Sequence, residues 1–434
     1  MCSPYPIGSL NSRAGEVNRS MIITVLGSAG GVAKAVLALL NKAAQDVNDP
    51  IHNVISQCHL HLVDRKQKSE QYYRKLLPDV KNVTRHQLHV ADLTRFREHL
   101  KQTGTRIVID VSWSDTVATL ACCNGLGVHY INTALENALI DKHENAYRGF
   151  PLIERIRILE NSRADFTQTT AILCSGMNPG VVQWMALDLM KRNPHQTPLG
   201  CYIVEHDTSF FAKKKPEENV LYTTWATDLY LDEAVLSYPM LMRHQTPLFL
   251  HEPVYAVEFK VTLGARQFYG SLMPHEEVYS LCRLYDMEGG FLYRVSEHTT
   301  DLVRAYLDYP DDLWDLEWEL LDPETAPLTG EDLVGVLLLY PDKEVYMYNA
   351  LSNKDVARFG VNATYYQVAC GVYGALATLL CDEIPRGIYT VDELLLKTSS
   401  NYGRYVSHNL TDFVVGENSR PDGFLLERMR RADI

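Results

Sequence analysis

The run Met21–Ala35, MIITVLGSAGGVAKA, decides how the rest of the chain is read. Ile22–Leu26 is apolar, rich in β-branched residues and long enough for a buried strand. Gly27-Ser28-Ala29-Gly30-Gly31 supplies a tight turn, and Val32–Leu40 reads as a helix. Glycines in such a turn let backbone N–H groups approach a pyrophosphate, and the positive end of the helix dipole attracts its charge. Gly27, Ser28, Gly30, Gly31 and Val32 are therefore the candidate cofactor contacts. The match to G-x-G-x-x-G/A is imperfect: either Gly27 leads with Ala29 in second place, or Ser28 leads with Gly30 and Ala33 following. Alone, it describes any strand–turn–helix.

Context narrows the choice. Cys58–Asp64 (CHLHLVD) is a second strand ending in Asp64, where a dinucleotide fold places the carboxylate for the ribose hydroxyls. The interval from Gly27 is long, which an insert around Asp46–Asn53 explains, and the plain alternative for Asp64 is a helix cap. Arg65 and Lys66 follow, so a 2′-phosphate stays open, with NAD preferred over NADP. Strand-like runs at Val83–Val90, Arg106–Ser112, Val128–Ala134 and Thr170–Gly176 alternate with helical segments near Leu93–Gln102 and Ser114–Asn124. That alternation predicts a parallel, Rossmann-type sheet with ligands at the strand carboxyl ends. Asp110, Asn132, Thr133 and Glu136 all fall at such ends. Each alone reads as a turn or cap residue; as a set they outline a site. Asn178-Pro179-Gly180 breaks the sixth strand before a helix over Val181–Arg192, presenting Asn178 either as a cap or towards a nicotinamide or amine.

A chain of 434 residues suits two domains: a leader over 1–20, an NAD-binding domain over 21–180 to which 363–434 returns, and a mixed α+β substrate and dimerisation domain over 181–362. The first twenty residues lack an apolar signal core, and no window carries eighteen unbroken apolar residues, so no membrane association is expected. Composition is that of a globular protein, 46% hydrophobic and 22% charged. Nine cysteines without a C-x-x-C spacing suggest reduced thiols in a cytoplasmic compartment and no metal site. The formal charge of −13 disfavours nucleic acid and mildly favours cationic ligands.

From Gly200 the strand-like runs (Cys201–Glu205, Val254–Leu263, Gly335–Tyr340, Glu344–Tyr348) adjoin one another, and Tyr340-Pro341-Asp342-Lys343 reads as a hairpin turn, indicating a largely antiparallel sheet. Ala363–Leu380 reads as a long helix. Two passages stand out chemically. Glu205-His206-Asp207-Thr208 puts three ionisable groups at a strand end, and Trp225 precedes a helix carrying Asp228, Asp232 and Glu233. Trp225 and Glu233 are eight positions apart, which on a regular helix gives similar faces. An indole beside carboxylates suits an ammonium or iminium ion, with cation–π attraction of roughly 0.5–2 kcal/mol. The plainer reading is a core tryptophan and a solvated glutamate.

Taken in order, Asn132-Thr133-Ala134-Leu135-Glu136, Gly176-Met177-Asn178-Pro179-Gly180, Glu205-His206-Asp207-Thr208, Lys215-Pro216 with Thr224-Trp225, and Asn362-Ala363-Thr364 with Gln367-Val368 resemble the bacterial homospermidine synthases, relatives of the saccharopine dehydrogenases. The resemblance runs from Met21 nearly to the end. It implies a usually dimeric enzyme with NAD retained as a prosthetic group. It further implies that Trp225 is the cation–π residue over the reacting carbon, and that Glu233, Glu205, Asn178 and Glu136 form the polar pocket for a diamine. Asp332 resembles the acid that anchors a distal ammonium; His298 is a possible counterpart of a histidine of the family, although Ser296–Thr300 departs from its pattern. The implied reaction oxidises putrescine (or spermidine) at the carbon bearing its amine, lets a second putrescine displace ammonia (or 1,3-diaminopropane), and reduces the new Schiff base. A rival is a saccharopine- or carboxyspermidine-type NAD(P)-dependent dehydrogenase, whose carboxylate substrates want arginines; another is a non-catalytic NAD-binding sensor.

Overall fold

The computed structural model describes residues 21–432; the leader expected over 1–20 lies outside them. Ile22–Leu26 is an interior strand of a seven-stranded, all-parallel sheet. The order is Gly387–Thr390, Thr170–Leu173, His129–Asn132, Ile107–Asp110, Ile22–Leu26, His59–Asp64, Asn82–Gln87. The first six strands in the chain thus follow the 3-2-1-4-5-6 order of doubly wound dinucleotide-binding sheets. Ile23, Val25, Leu60, Leu62, Val108 and Ile109 are wholly buried, as expected of strands covered by helices on both faces.

Two glycines shape the first turn. Gly27 has φ +73°, and a Cβ there would lie 2.6 Å from the Val111 carbonyl oxygen, so only glycine fits. Gly31 opens the helix Gly31–Gln45, and a Cβ on it would come within 2.2 Å of the Tyr365 ring. That contact sets how closely the long helix Ala363–Cys381 approaches. Asn362 caps this helix by accepting the Tyr365 N–H at 2.9 Å, and buried residues on all its sides explain why its sequence shows no polar face. The helix expected from Ser114 begins at Thr116, because Asp115 caps it through the Ala118 N–H.

The second sheet is mixed. Gly200–Asp207 lies in its middle, parallel to Glu288–Arg294 and antiparallel to Glu331–Leu339. Glu344–Ser352 and Val414–Asn418 extend one side; Arg266–Met273, Val257–Leu263 and Met429–Arg431 extend the other. The turn at Tyr340–Lys343 closes a hairpin, Tyr340 N–H donating to the Lys343 carbonyl at 2.9 Å. The architecture is α/β, a Rossmann-type parallel sheet beside a mixed one.

The assignment of 363–434 to the first domain is corrected. Gly387–Thr390 edges the parallel sheet, but Val414–Asn418 and Met429–Arg431 pair with the mixed one. A buried charge holds them there: Arg428 pairs with Glu344, both side chains fully enclosed. No helix among the described residues is long and apolar enough to cross a membrane, and the eight cysteines among them are free.

Candidate active site

A cleft of about 400 Å³ runs between the two sheets from the glycine turn to the end of the Gly200–Asp207 strand. The parallel sheet contributes Gly30, Gly31, Val32, Asp110, Thr133 and Glu136 to its wall, the break before helix Val181–Arg192 contributes Asn178 and Pro179, and the mixed sheet contributes Glu205, with Trp225 and Glu233. Gly27, Ser28 and Asp64 stand one layer back. The Ser28 hydroxyl is buried against Tyr73 Oη at 3.3 Å, and Asp64 accepts the Ala29 N–H at 3.0 Å, tying the glycine turn to the second strand. Asp110, at its strand end, accepts from the hydroxyls of Ser112, Ser114 and Tyr130; burial raises its carboxyl despite those bonds.

The geometry of this wall suits a dinucleotide. Side chains are absent where Gly30 and Gly31 meet the cleft, and any Cβ at Gly31 would strike Tyr365. The start of the Gly31–Gln45 helix opens there with no acidic residue in its first turn, so its N–H groups and dipole are available to a phosphate.

At the other end, Trp225 donates its Nε1–H to Tyr293 Oη at 3.2 Å and meets the Tyr230 ring edge-on. Glu233 reaches the same cleft by a route the eight-residue spacing did not foresee. The chain forms a short α-helix over Thr227–Leu231 and widens into a π-helical turn over Asp232–Leu236, a form frequent at functional sites. The plainer reading of a solvated glutamate at 233 does not hold: its Oε2 is shielded from solvent and has no hydrogen-bond partner, and burial pushes its carboxyl up to about 8. Asn178 does not cap the helix; Gly180 holds that position, and the Asn178 amide donates to Glu205 Oε2 at 2.5 Å. Burial raises Glu205 against that bond, with Asp207 adding to the rise. Glu136 is pushed up to about 8 by burial, opposed by Arg155 at 3.8 Å.

Two expected residues are placed elsewhere. His298 does not line the cleft; its helix packs on Val220–Thr223, and Nε2 meets the Val220 carbonyl at 3.0 Å, so its assignment as a substrate residue is withdrawn. Asp332 is buried behind the wall, accepting from the Thr364 hydroxyl at 2.6 Å, and it is Thr364 that faces the cleft. The histidine that does line it is His275, just beyond the Arg266–Met273 strand. Burial works against its charge, but Glu277 at 2.5 Å outweighs this and pushes the imidazole up to about 10. The signal for it was a histidine between Pro274 and two acids at a strand end, a position the resemblance did not single out. Arg155, also unforeseen, bonds Asp141 at 2.9 Å and Asp232 at 3.0 Å. His275, Glu276 and Glu277 bring one nitrogen and two carboxylate oxygens within 4.8 Å; Glu277 also pairs with His275, and Glu276 accepts the Leu135 N–H.

Residues 23–151 match the family model of the saccharopine dehydrogenase NADP-binding domain. Sheet order, glycine turn and this match define the class: an α/β chain whose parallel sheet has the strand order of doubly wound dinucleotide-binding folds and is similar to the NADP-binding domain of saccharopine dehydrogenases. Among curated proteins, the homospermidine synthase of Blastochloris viridis is 27% identical over 324 residues, covering 62% of this chain and 67% of that protein. Among solved structures, apo saccharopine dehydrogenase (L-Glu forming) from Saccharomyces cerevisiae superposes with a TM-score of 0.58 over 92% of this chain and 99% of that one; at 12% identity this is a likeness of fold. The resemblance read in the sequence is borne out on these three grounds, and both relatives are enzymes.

Proposed function

We propose that the protein is a homospermidine synthase that moves an aminobutyl group from putrescine (or spermidine) to a second putrescine, using NAD as a retained cofactor. The observation that carries the reading is the composition of the cleft wall: an indole and the three acids Glu136, Glu205 and Glu233 line one cleft, their carboxyls raised by burial. Such a pocket is costly to ionise when empty and is stabilised by a cation. NAD would lie along Gly30-Gly31-Val32 and Asp110, with Asp64 disfavouring a 2′-phosphate beside the second strand. When bound, it supplies a hydride acceptor and donor. The chain's own groups do the rest. Glu233 Oε2 is free to take a proton from the substrate ammonium, since a carboxylate raised towards 8 is a far better base than an ordinary one. Trp225 favours a cationic carbon–nitrogen centre over a neutral one, which is catalysis by differential binding.

The dehydrogenase alternative is less well supported. Carboxylate substrates need an available guanidinium, and Arg155, the arginine on the cleft wall among the described residues, is committed to Asp141, Asp232 and Glu136. A homodimer forms part of the proposal and is read by sedimentation. The deciding experiment incubates the protein with putrescine and sub-stoichiometric NAD, and measures polyamines and ammonia. Many homospermidine molecules per NAD are expected. One NAD reduced per amine oxidised, with turnover ending once the NAD is spent, would favour the dehydrogenase; NAD binding without turnover would favour a sensor.

A further inference from the structure

Behind Trp225 lie three acids whose proximity the cleft alone does not explain. Glu205 and Asp207 alternate on one strand and so share a face, and Asp332 sits directly opposite Asp207 on the antiparallel neighbour. Cross-strand partners hold their Cβ atoms roughly 4.5–5.5 Å apart. All three residues are 4% exposed or less. Their hydrogen-bond donors are neutral: the Asn178 amide on Glu205, the Ser209 N–H and Thr224 hydroxyl on Asp207, and the Thr364 hydroxyl on Asp332. Asp332 Oδ1 is buried with no partner at all. Around them, His275 and Glu277 act on Glu205, Glu331 acts on Asp332, and the Tyr293 hydroxyl feels all three.

Three carboxylates cannot all ionise in so small a volume without a cation. Only Glu205 touches the cleft. We propose that Glu205, Asp207 and Asp332 share a proton, and that Asp207 and Asp332 are positioning residues, which hold Glu205 at high proton affinity so that it can take a proton from a bound ammonium and later return it. This role rests on the diamine reading above; the shared proton itself does not. In the forward step an N–H bond in the ammonium of the second, attacking diamine breaks, the electron pair stays on nitrogen, and an O–H bond forms on Glu205, Glu233 having served the first diamine. In the return step that proton passes to the departing nitrogen, which takes the C–N bond pair and leaves as ammonia. An isolated carboxylate is too weak a base to compete for that proton; like charges across the strand pair narrow the gap. Burial raises all three, with mutual repulsion adding to it on Glu205 and Asp332.

Asp207→Asn and Asp332→Asn keep the shape and one acceptor while removing a charge. The first readout uses the protein alone: its melting temperature from pH 5 to 9. A carboxyl raised on folding contributes stability that is complete below its unfolded value, near 4, and is lost as pH rises through the folded value. Both variants should therefore lose less stability over this range than the wild type; identical slopes in all three proteins would overturn the shared proton. The second readout is the pH profile of homospermidine formation. Each variant should move the acid limb of kcat about one unit lower and reduce the plateau about threefold to tenfold, with KM for putrescine changed less than about threefold. A limb left in place, with kcat and KM worsened together at every pH, would assign the two residues a structural role only. Flatter melting slopes in the two variants, with a wild type that makes no homospermidine, would sink the diamine reading and leave the shared proton standing.

Discussion

Glu233 carries an oxygen that no group of the protein satisfies, and Trp225 lines the same cleft. Burial lifts the Glu233 carboxyl to about 8, so below that pH the carboxyl is mainly protonated in the free protein. Putrescine affinity should accordingly rise between pH 6.5 and 8.5, by about tenfold if one carboxyl ionises with binding. Glu233→Gln should flatten that rise in calorimetric titrations. The same substitution should not lower the melting temperature at pH 9. The raised carboxyl contributes stability that is present below its unfolded value, near 4.3, and lost as pH climbs through about 8. For Trp225, a cation–π contribution of roughly 0.5–2 kcal/mol corresponds to about 2- to 30-fold in rate. Trp225→Phe should keep part of the activity and Trp225→Ala lose most of it, with circular dichroism unchanged; equal kcat in all three proteins would remove the indole from the mechanism.

Elements bring these residues together in ways that local pattern does not encode. The turn Gly27–Gly31 was legible because only glycine meets its geometric demands, and Asp110, Thr133 and Glu136 were legible because parallel strands deliver their carboxyl ends to one edge. The register Leu26↔Asp110↔Asn132 is what lines them up. Glu233 lies on the cleft wall, but not by the regular helix that the eight-residue spacing assumed, since the π-helical turn adds a residue to the spacing. His298 was misplaced for a related reason: a helix offers several faces, and this one spends the histidine on the Val220 carbonyl. Close packing between helices gives a sharper test. Gly31→Ala would ordinarily favour a helix, but its Cβ would press on Tyr365, so a loss of about 1–3 kcal/mol is expected. Denaturant titration should show it, together with weaker NAD binding; a more stable variant would mean that the two helices are free to separate.

At the scale of the whole molecule, the chain crosses between its two sheets more often than a division at residue 180 and again at 363 allows. Gly387–Thr390 joins the parallel sheet, and the chain then leaves it to finish on the mixed one, where Arg428 is enclosed with Glu344 and Arg430 reaches Glu258. Arg428→Ala should cost about 3–5 kcal/mol, because Glu344 would be left buried and unpaired. Replacing both members by apolar residues should recover much of that loss, as measured by chemical unfolding.

What the sequence by itself determined is the part governed by short-range geometry: the buried apolar strands, the glycine turn, the alternation that makes a parallel sheet, and acids delivered to its carboxyl edge. Only the tertiary structure decided which ionisable groups share a desolvated space. Asp332 behind Thr364, His275 held by Glu277, and Arg155 held by three carboxylates are set by contacts between segments far apart in the chain. The electrostatic character of a site depends on through-space distance and exclusion of water, and neither is a property of residue spacing.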